Sequence, residues 1–317
     1  MQVPRSFFDS ALLEKFGAAF ISEDKVDEAL RRLIPKAHIT KGSFSCPGWA
    51  EQRDLLWNHM DQTHRPHIHR TYGEAMRLYI GERAAVSLTR FGSWPIVIPV
   101  FDGHYKDNGF YQVLCLFGLI VVVNVIESNA TPDGTRMDIS WAIASHRLLR
   151  FVHPWLDRRL RRLNVVQNAE DDPIRHRRVE LRGAGYRFAT DATDAPDFVS
   201  ANAIANNVIF PSLTERAVVP LADIPAGQVH RIEVGRRAYL LQRRDDGIDV
   251  WPGICPHEGA ALGPGDVDGR AARCPWHGLE FAPRRLRPGA GSIILCGARL
   301  SLSEQGLDVS PPDRESA

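Results

Sequence analysis

No stretch of this sequence is apolar enough to cross a bilayer: its most apolar run, residues 113–123, has eleven residues, where a spanning helix needs about 20. No G-x-G-x-x-G fingerprint is present, so no dinucleotide cofactor is expected on a Rossmann turn of this chain. Net charge is nearly absent, with 39 Lys and Arg against 38 Asp and Glu, which excludes a general electrostatic affinity for nucleic acid or a membrane surface. Cysteine is scarce. Five residues in no paired pattern do not make a disulfide framework, and that favours a reducing compartment. Residues 1–6 carry neither an apolar signal core nor a twin-Arg pattern, so the expected location is cytoplasmic. What remains is an ordinary globular composition of 317 residues, 44% of them hydrophobic, enough for two domains that each bury a core.

Two of the cysteines do stand in a pattern. Cys255 and His257 form C-x-H, and after sixteen residues Cys274 and His277 form C-x-x-H. Each short loop therefore offers one thiolate and one imidazole. In a Rieske [2Fe-2S] centre one iron takes two thiolates and the other two imidazoles, so each loop must reach both irons, and one or two intervening residues permit it. Gly259 and Gly278 let the loops turn tightly, and Pro256 and Pro275 stiffen them. The competing Cys2His2 zinc site would more usually pair C-x2-4-C with H-x3-5-H. The loops, CPHEGA and CPWHG, resemble those of Rieske ferredoxins and oxygenases. The respiratory type adds a disulfide between its loops, whereas Ala260 and Trp276 hold the corresponding positions here. Glu258 stands where oxygenases often carry Arg, a departure expected to affect the surface near the cluster more than its ligands.

Residues 57–69, WNHMDQTHRPHIH, place four histidines within eleven residues. Alone, such a run fits a polar helix end with solvated histidines or a metal site. Beside the cluster motif, Asp61, His64 and His69 reproduce the Asp-x2-His-x4-His segment of Rieske non-haem iron oxygenases, and the wider run resembles that of vanillate O-demethylase and related enzymes. The resemblance implies a facial triad completed by a later carboxylate. Glu170-Asp171-Asp172-Pro173-Ile174 is similar to the family's E-D-x-x-(aliphatic) and selects Asp171, with Glu170 and Asp172 as alternatives. The same stretch also reads as the acidic start of a helix over residues 173–182, with Pro173 at its first position.

Between the motifs, residues 84–91, 95–101, 109–116, 119–127 and 136–142 read as strands separated by Gly- and Asn-rich turns. Ahead of them, Ser22 is placed to cap a helix carrying Val26, Ala29, Leu30 and Leu33 on one face before Pro35. After them, a helix from about Pro154 has Trp155, Leu156, Leu160 and Leu163 as its apolar face. Arg158, Arg159, Arg161 and Arg162, followed by Arg175, Arg177 and Arg178, form either a solvated face or a docking surface for an acidic electron donor. The strand residues that would line a pocket read as apolar, without a polar code. The expected fold class is α+β: a helix-grip (Bet v 1-like) catalytic domain over 1–200, as the resemblance implies, a linker over 201–216, and an all-β Rieske domain over 217–312.

The resemblance implies an oxygenase. Its cofactors are a [2Fe-2S] cluster on Cys255, His257, Cys274 and His277 and a mononuclear Fe(II) on His64, His69 and Asp171, with Asp61 as the catalytic link between a cluster histidine, His277, and His64. Its partners are an NAD(P)H-dependent reductase or ferredoxin, O2 and an apolar small molecule, aromatic by the demethylase likeness, with no nucleic acid and no transmembrane segment. Hydroxylation, demethylation and desaturation share this centre. Family members put the cluster domain first, and the reversed order here leaves open whether their homotrimer carries over. The alternative is an electron carrier: a Rieske domain fused to a helix-grip domain that binds a ligand without turning it over.

Overall fold

A computed structural model of the chain describes residues 23–93, 95–132, 134–192, 197–203 and 206–312. Alternating side chains and tight turns build one seven-stranded antiparallel sheet from β1 (Ala37–Pro47), β2 (Tyr72–Ile80), β3 (Ala84–Phe91), β4 (Val97–Tyr105), β5 (Gly109–Leu116), β6 (Ile120–Thr131) and β7 (Gly134–His146). Its order is β1-β7-β6-β5-β4-β3-β2. Strands β2 to β7 are thus successive neighbours, and β1 closes on β7 with Ala37 opposite His146. The helices are α1 (Glu23–Leu33), α2 (Gln52–Met60), α3 (Arg65–Ile68), α4 (His153–Gly183) and α5 (Phe198–Ala201).

Strand β6 shows how both faces are used. Val121 and Val123 pack with the fully buried Leu30 of α1, while Asn124, on the other face, bonds Asn164 of α4 at 3.2 Å. The two-residue period of the strand therefore sets α1 and α4 on opposite faces. Helix α4 is pinned at its start, where the ring nitrogens of His153 lie 2.7 Å from Ser145 Oγ and 2.8 Å from Thr40 Oγ1. One turn later Trp141 Nε1 donates to Asp157 at 2.8 Å.

Strands β3 and β5 have the expected bounds, β4, β6 and β7 run further than expected, and β1 and β2 were not anticipated. Ser22 lies outside the described residues. Pro173 does not start a helix. It sits inside α4, which runs 31 residues without a break, although Pro173 has no N–H to donate to the Ala169 carbonyl four residues before it. The apolar face expected at the start of this helix is incomplete: Leu156 and Leu160 are buried, but Trp155 is exposed. Nor do the arginines form one face. Arg158, Arg159, Arg161 and Arg162 are exposed, while Arg175 and Arg178 are almost wholly buried.

The chain divides into two compact units, Met1–His176 with Thr193–Ala203, and Arg177–Ala192 with Ile204–Ala317. The division falls inside α4. The second unit contains β8 (Arg187–Phe188), β9 (Val208–Ile209), β10 (Ala217–Pro220), β11 (Val229–Val234), β12 (Arg237–Arg244), β13 (Gly247–Pro252), β14 (Ala272–Arg273), β15 (Glu280–Phe281), β16 (Arg284–Leu286), β17 (Ser292–Leu295), β18 (Ala298–Leu302) and β19 (Gly306–Ser310). Two four-stranded antiparallel sheets, β10-β19-β18-β17 and β11-β12-β13-β16, share a core that includes Tyr239, Leu241, Val250, Leu300 and Leu307.

Asp249 on β13 is buried and held by two guanidinium groups: Arg285 donates to both its oxygens at 2.6 and 2.9 Å, and Arg244 donates at 2.9 Å. Burial alone would raise its pKa, yet the bonds from Arg285 and Arg244 outweigh that and hold the carboxyl below its usual range. Asp249→Asn is expected to cost about 2 kcal/mol at neutral pH, from lost charge-assisted bonds. The unfolded carboxyl titrates near pH ~3.9, and the folded pKa lies lower. The contribution is therefore complete above the unfolded value and is lost as pH falls through the folded one. Urea unfolding at pH 7 and pH 3 should show the gap between wild type and variant narrowing in acid.

Candidate metal centres

In the first unit the histidine segment folds as a broken helix. Helix α2 stops at Met60, and Asp61 takes extended dihedrals while its N–H still bonds the Trp57 carbonyl at 2.9 Å. The single turn α3, with Pro66 at its start, is then flanked by His64 and His69. Asp171 comes from α4. The three side chains meet: one donor atom from each of His64, His69 and Asp171 lies within 4.8 Å of the others, and all three residues are buried. Asp171 Oδ1 is 3.4 Å from His64 Nε2 and 3.5 Å from His69 Nε2.

The surrounding groups orient these three. Nδ1 of His69 lies 3.2 Å from Glu170 Oε2, which assigns the proton to Nδ1 and turns Nε2 toward Asp171. Nδ1 of His64 lies 3.3 Å from Asp61 Oδ2, and Asp61, fully buried, accepts from the Thr63 N–H at 2.8 Å and from the Thr63 hydroxyl. Asp171 is held from its far side by Arg175 at 3.2 Å and by Asn58 at 3.4 Å. Among the acids of the 170–172 run, then, Asp171 joins the histidines, Glu170 backs His69, and Asp172 lies 3.6 Å from Arg175. His67 is exposed and takes no part.

The electrostatics are those of a charged centre removed from water. Burial opposes ionisation of Asp171, but His69, His64 and Arg175 outweigh it and keep the carboxyl well below its usual range. His69 is lowered by burial. His64 is also penalised by burial, yet Asp171 and Asp61 carry its net shift upward. His59, partly exposed by area but enclosed by neighbouring atoms, is pushed down to about 3 by burial and by Arg175, so it is neutral. Despite the short distances, neither buried ring nitrogen of His64 makes a well-aligned hydrogen bond. Two imidazole nitrogens and a carboxylate converging in this way, with an orphaned nitrogen among them, fit a divalent iron that keeps further positions open.

The second centre lies in the second unit, where the two loops have the same backbone plan. The Cys255 N–H bonds the Ala260 carbonyl and the Gly259 N–H returns to Cys255; the Cys274 N–H bonds the Leu279 carbonyl and the Gly278 N–H returns to Cys274. Both returns need a left-handed residue, and Gly259 (φ 85°) and Gly278 (φ 64°) supply it. Cys255, Cys274, His257 and His277 are all buried. The two histidines present Nδ1 to Nδ1 at 3.3 Å. The hydrogen bond between the two thiols pulls Cys274 down to about 4. Two buried sulfurs and two imidazoles aimed inward fit the ligand set of a [2Fe-2S] cluster.

Glu258 is not part of the surface near the cluster, where its departure from the Arg of oxygenases was expected to act. It is fully buried, where it pairs with Arg178 and accepts from Asn207 at 2.7 Å. Arg178 in turn lies 3.7 Å from the centre of the Phe188 ring. The sequence reading missed Glu258, Arg178 and Asn58, whose partners lie far away in the chain, and Arg175, whose spacing of four from Asp171 on α4 was a signal that could have found it.

Residues 214–290 match the family described as Rieske [2Fe-2S] domain. Over 67 residues the chain is 36% identical to Apoptosis-inducing factor 3 of Homo sapiens and 34% identical to that of Mus musculus. That stretch is 21% of this chain and 11% of each relative, so the chain spans about a tenth of the length of the curated relatives it matches. Among solved structures, Ara h 8.0201 aligns over 42% of this chain and 95% of its own, with a TM-score of 0.33 and 10% identity. The Mll3558 protein from Rhizobium loti aligns over 42% and 98%, with a TM-score of 0.33 and 12% identity. Likenesses at that TM-score carry no weight for the fold, which rests on the strand order itself. A C-terminal Rieske domain makes the chain an iron–sulfur protein of a kind that occurs in oxidoreductases. Among the described residues no helix is long and apolar enough to cross a membrane.

Proposed function

We propose that the chain is the oxygenase component of a Rieske-type system, with a mononuclear iron site in the first unit. The observation that carries this reading is the meeting of His64, His69 and Asp171, drawn from the two ends of α3 and from α4, in a buried cluster with carboxylates behind both histidines. The order of the seven strands, with a long helix against one face, supports a helix-grip reading of that unit.

When bound, the cluster supplies one-electron transfer and the mononuclear iron supplies a place for O2 to bind and be reduced. The chain's own residues do the rest. His64, His69 and Asp171 hold the iron; Glu170 fixes the His69 tautomer; Asp61 stands behind His64 as the candidate electron link; Arg175 and Asn58 fix the carboxylate. For a hydroxylation, one oxygen atom enters a C–H bond of the substrate and the other leaves as water, using two electrons and two protons. We propose that the electrons come from a separate NAD(P)H-dependent reductase or ferredoxin.

Iron and acid-labile sulfide per chain, measured on anaerobically purified protein, test the reading. About three irons and two sulfides are expected. Two irons and two sulfides after attempted reconstitution would leave a Rieske electron carrier and remove the oxygenase.

A further inference from the structure

One end of the first unit carries exposed apolar side chains among unpaired arginines, and we propose that this end docks on a bilayer surface rich in anionic phospholipid. The inference involves neither metal centre and goes beyond the oxygenase reading.

Strand pairing gathers the patch. Ala37 at the start of β1 lies opposite His146 at the end of β7, Ser145 lies opposite Ile120 at the start of β6, and Ile120 pairs with Leu116 at the end of β5. The same end therefore holds the turn from α1 into β1, the β5–β6 turn, a 3-10 helix over Arg147–Val152 and the first turn of α4. The Arg147 N–H ties two of these segments by donating to the Lys36 carbonyl at 3.1 Å. Leu33, Phe117, Leu119, Leu148, Phe151 and Trp155 project here. They are six of the seven most exposed large hydrophobic side chains among the described residues, with Leu148 at 73%, Phe151 at 72% and Phe117 at 69%. Single exposures scattered over a surface are ordinary, whereas a cluster at one end marks an interaction site.

The backbone is strained to present one of them. Phe117 holds φ 54°, in the left-handed region that is unfavourable for a bulky side chain. The Leu119 N–H closes the turn onto the Leu116 carbonyl at 3.0 Å. Glycine or asparagine at position 117 would relieve the strain, but neither would hold a phenyl ring in solvent.

Charge at this end has one sign. Residues 29–41, 113–126 and 139–156 contain no Asp or Glu. Arg32, Lys36, Arg147, Arg150, Arg158 and Arg159 are exposed, and among the described residues none of them pairs with a carboxylate. The Arg159 guanidinium lies 5.8 Å from the centre of the Trp155 ring, and Asp157 is occupied by Trp141 Nε1. The near-zero charge of the whole chain thus conceals a local excess that attracts anions. Trp, Phe and Leu beside Arg and Lys suit a bilayer interface, where the apolar groups enter the acyl boundary and the cations meet phosphates. The projections come from four separate segments, and a fluid surface admits them without the matched pockets that a folded partner would need.

Flotation of the full-length protein tests this, with phosphatidylcholine vesicles containing about 30% phosphatidylserine set beside phosphatidylcholine alone. Binding to the anionic vesicles is expected to be at least about tenfold tighter, and to fall as salt rises from about 0.1 to about 0.5 M. Leu148→Glu combined with Phe151→Glu should weaken it by more than about tenfold. Arg147→Ser combined with Arg150→Ser should weaken it by about tenfold and reduce its salt dependence. All four side chains are exposed or partner-free at the surface, so both variants should keep the wild-type urea midpoint. Equal binding to the two vesicle types, or unchanged flotation of the variant at Leu148 and Phe151, would overturn the proposal. No flotation at millimolar lipid would also overturn it and leave the patch to a protein: a second copy if the chain sediments as a dimer that this variant separates, an acidic partner if it sediments as a monomer.

Discussion

Asp171→Asn is expected to empty the mononuclear site and leave the cluster in place. Iron should fall from about three to about two per chain while sulfide stays at about two. Turnover should fall by more than about a hundredfold, since removal of an outer-shell partner alone commonly costs ten- to a hundredfold in metal affinity or activity. Glu170→Gln supplies that comparison, because Glu170 touches His69 and no other member of the triad. The amide is chosen over alanine because Arg175 is wholly buried against Asp171, and the Asn oxygen can still accept the Arg175 hydrogen bond and fill the same space although the charge is lost. Electron paramagnetic resonance of the reduced cluster should be unchanged. Full iron content with full turnover in Asp171→Asn would sink the assignment of this residue as a ligand.

Glu258→Ala is expected to destabilise the second unit by about 3–5 kcal/mol, because it leaves the Arg178 guanidinium buried without its carboxylate and deprives Asn207 of an acceptor. Glu258 lies between His257 and Gly259, so the loss should show both as a lower urea midpoint and as faster bleaching of the cluster's visible absorbance. Combining Glu258→Leu with Arg178→Met should recover most of the stability, as apolar replacements of buried pairs often do. A midpoint within about 0.5 kcal/mol of wild type for Glu258→Ala would mean that the pair is far more hydrated than its burial indicates.

The residues of both candidate centres were legible wherever spacing carries the chemistry. C-x-H and C-x-x-H name a ligand set from four residues on two loops, and Asp61, His64 and His69 lie within one broken helix. Most of what surrounds the ligands was not legible, because many of its partners are distant in sequence. The burial of Glu258 was missed, since Arg178 lies 80 residues away. The strands read as apolar without a polar code, because Asn124 is a single interruption in the Val- and Ile-rich start of β6 and its partner Asn164 meets it from a helix forty residues later. Pro173 was read by a local rule, Pro at a first helical position. Tertiary contacts on both sides of it, Asn164 with Asn124 and Arg175 with Asn58, carry α4 through. Strand β1 was missed because Lys41, Gly42, Ser43 and Ser45 dilute its pattern, yet it pairs with β7 along its whole length.

The strand order governs when the three candidate ligands can meet. Hairpins β2 to β7 join neighbours in sequence and can zip in turn, but β1 and β7 enclose a loop of roughly a hundred residues, whose closure is entropically the slow step. The segment with Asp61, His64 and His69 bridges β1 and β2, which lie at opposite edges of the sheet, while Asp171 follows β7. His69 leads directly into β2, with the Tyr72 N–H bonded to its carbonyl, so the histidines and the carboxylate meet only when the sheet from β2 to β7 is in place beneath α4. In a nascent chain the candidate ligands therefore stay apart until most of the sheet exists, and any metal they take would be captured late and would report assembly of the sheet.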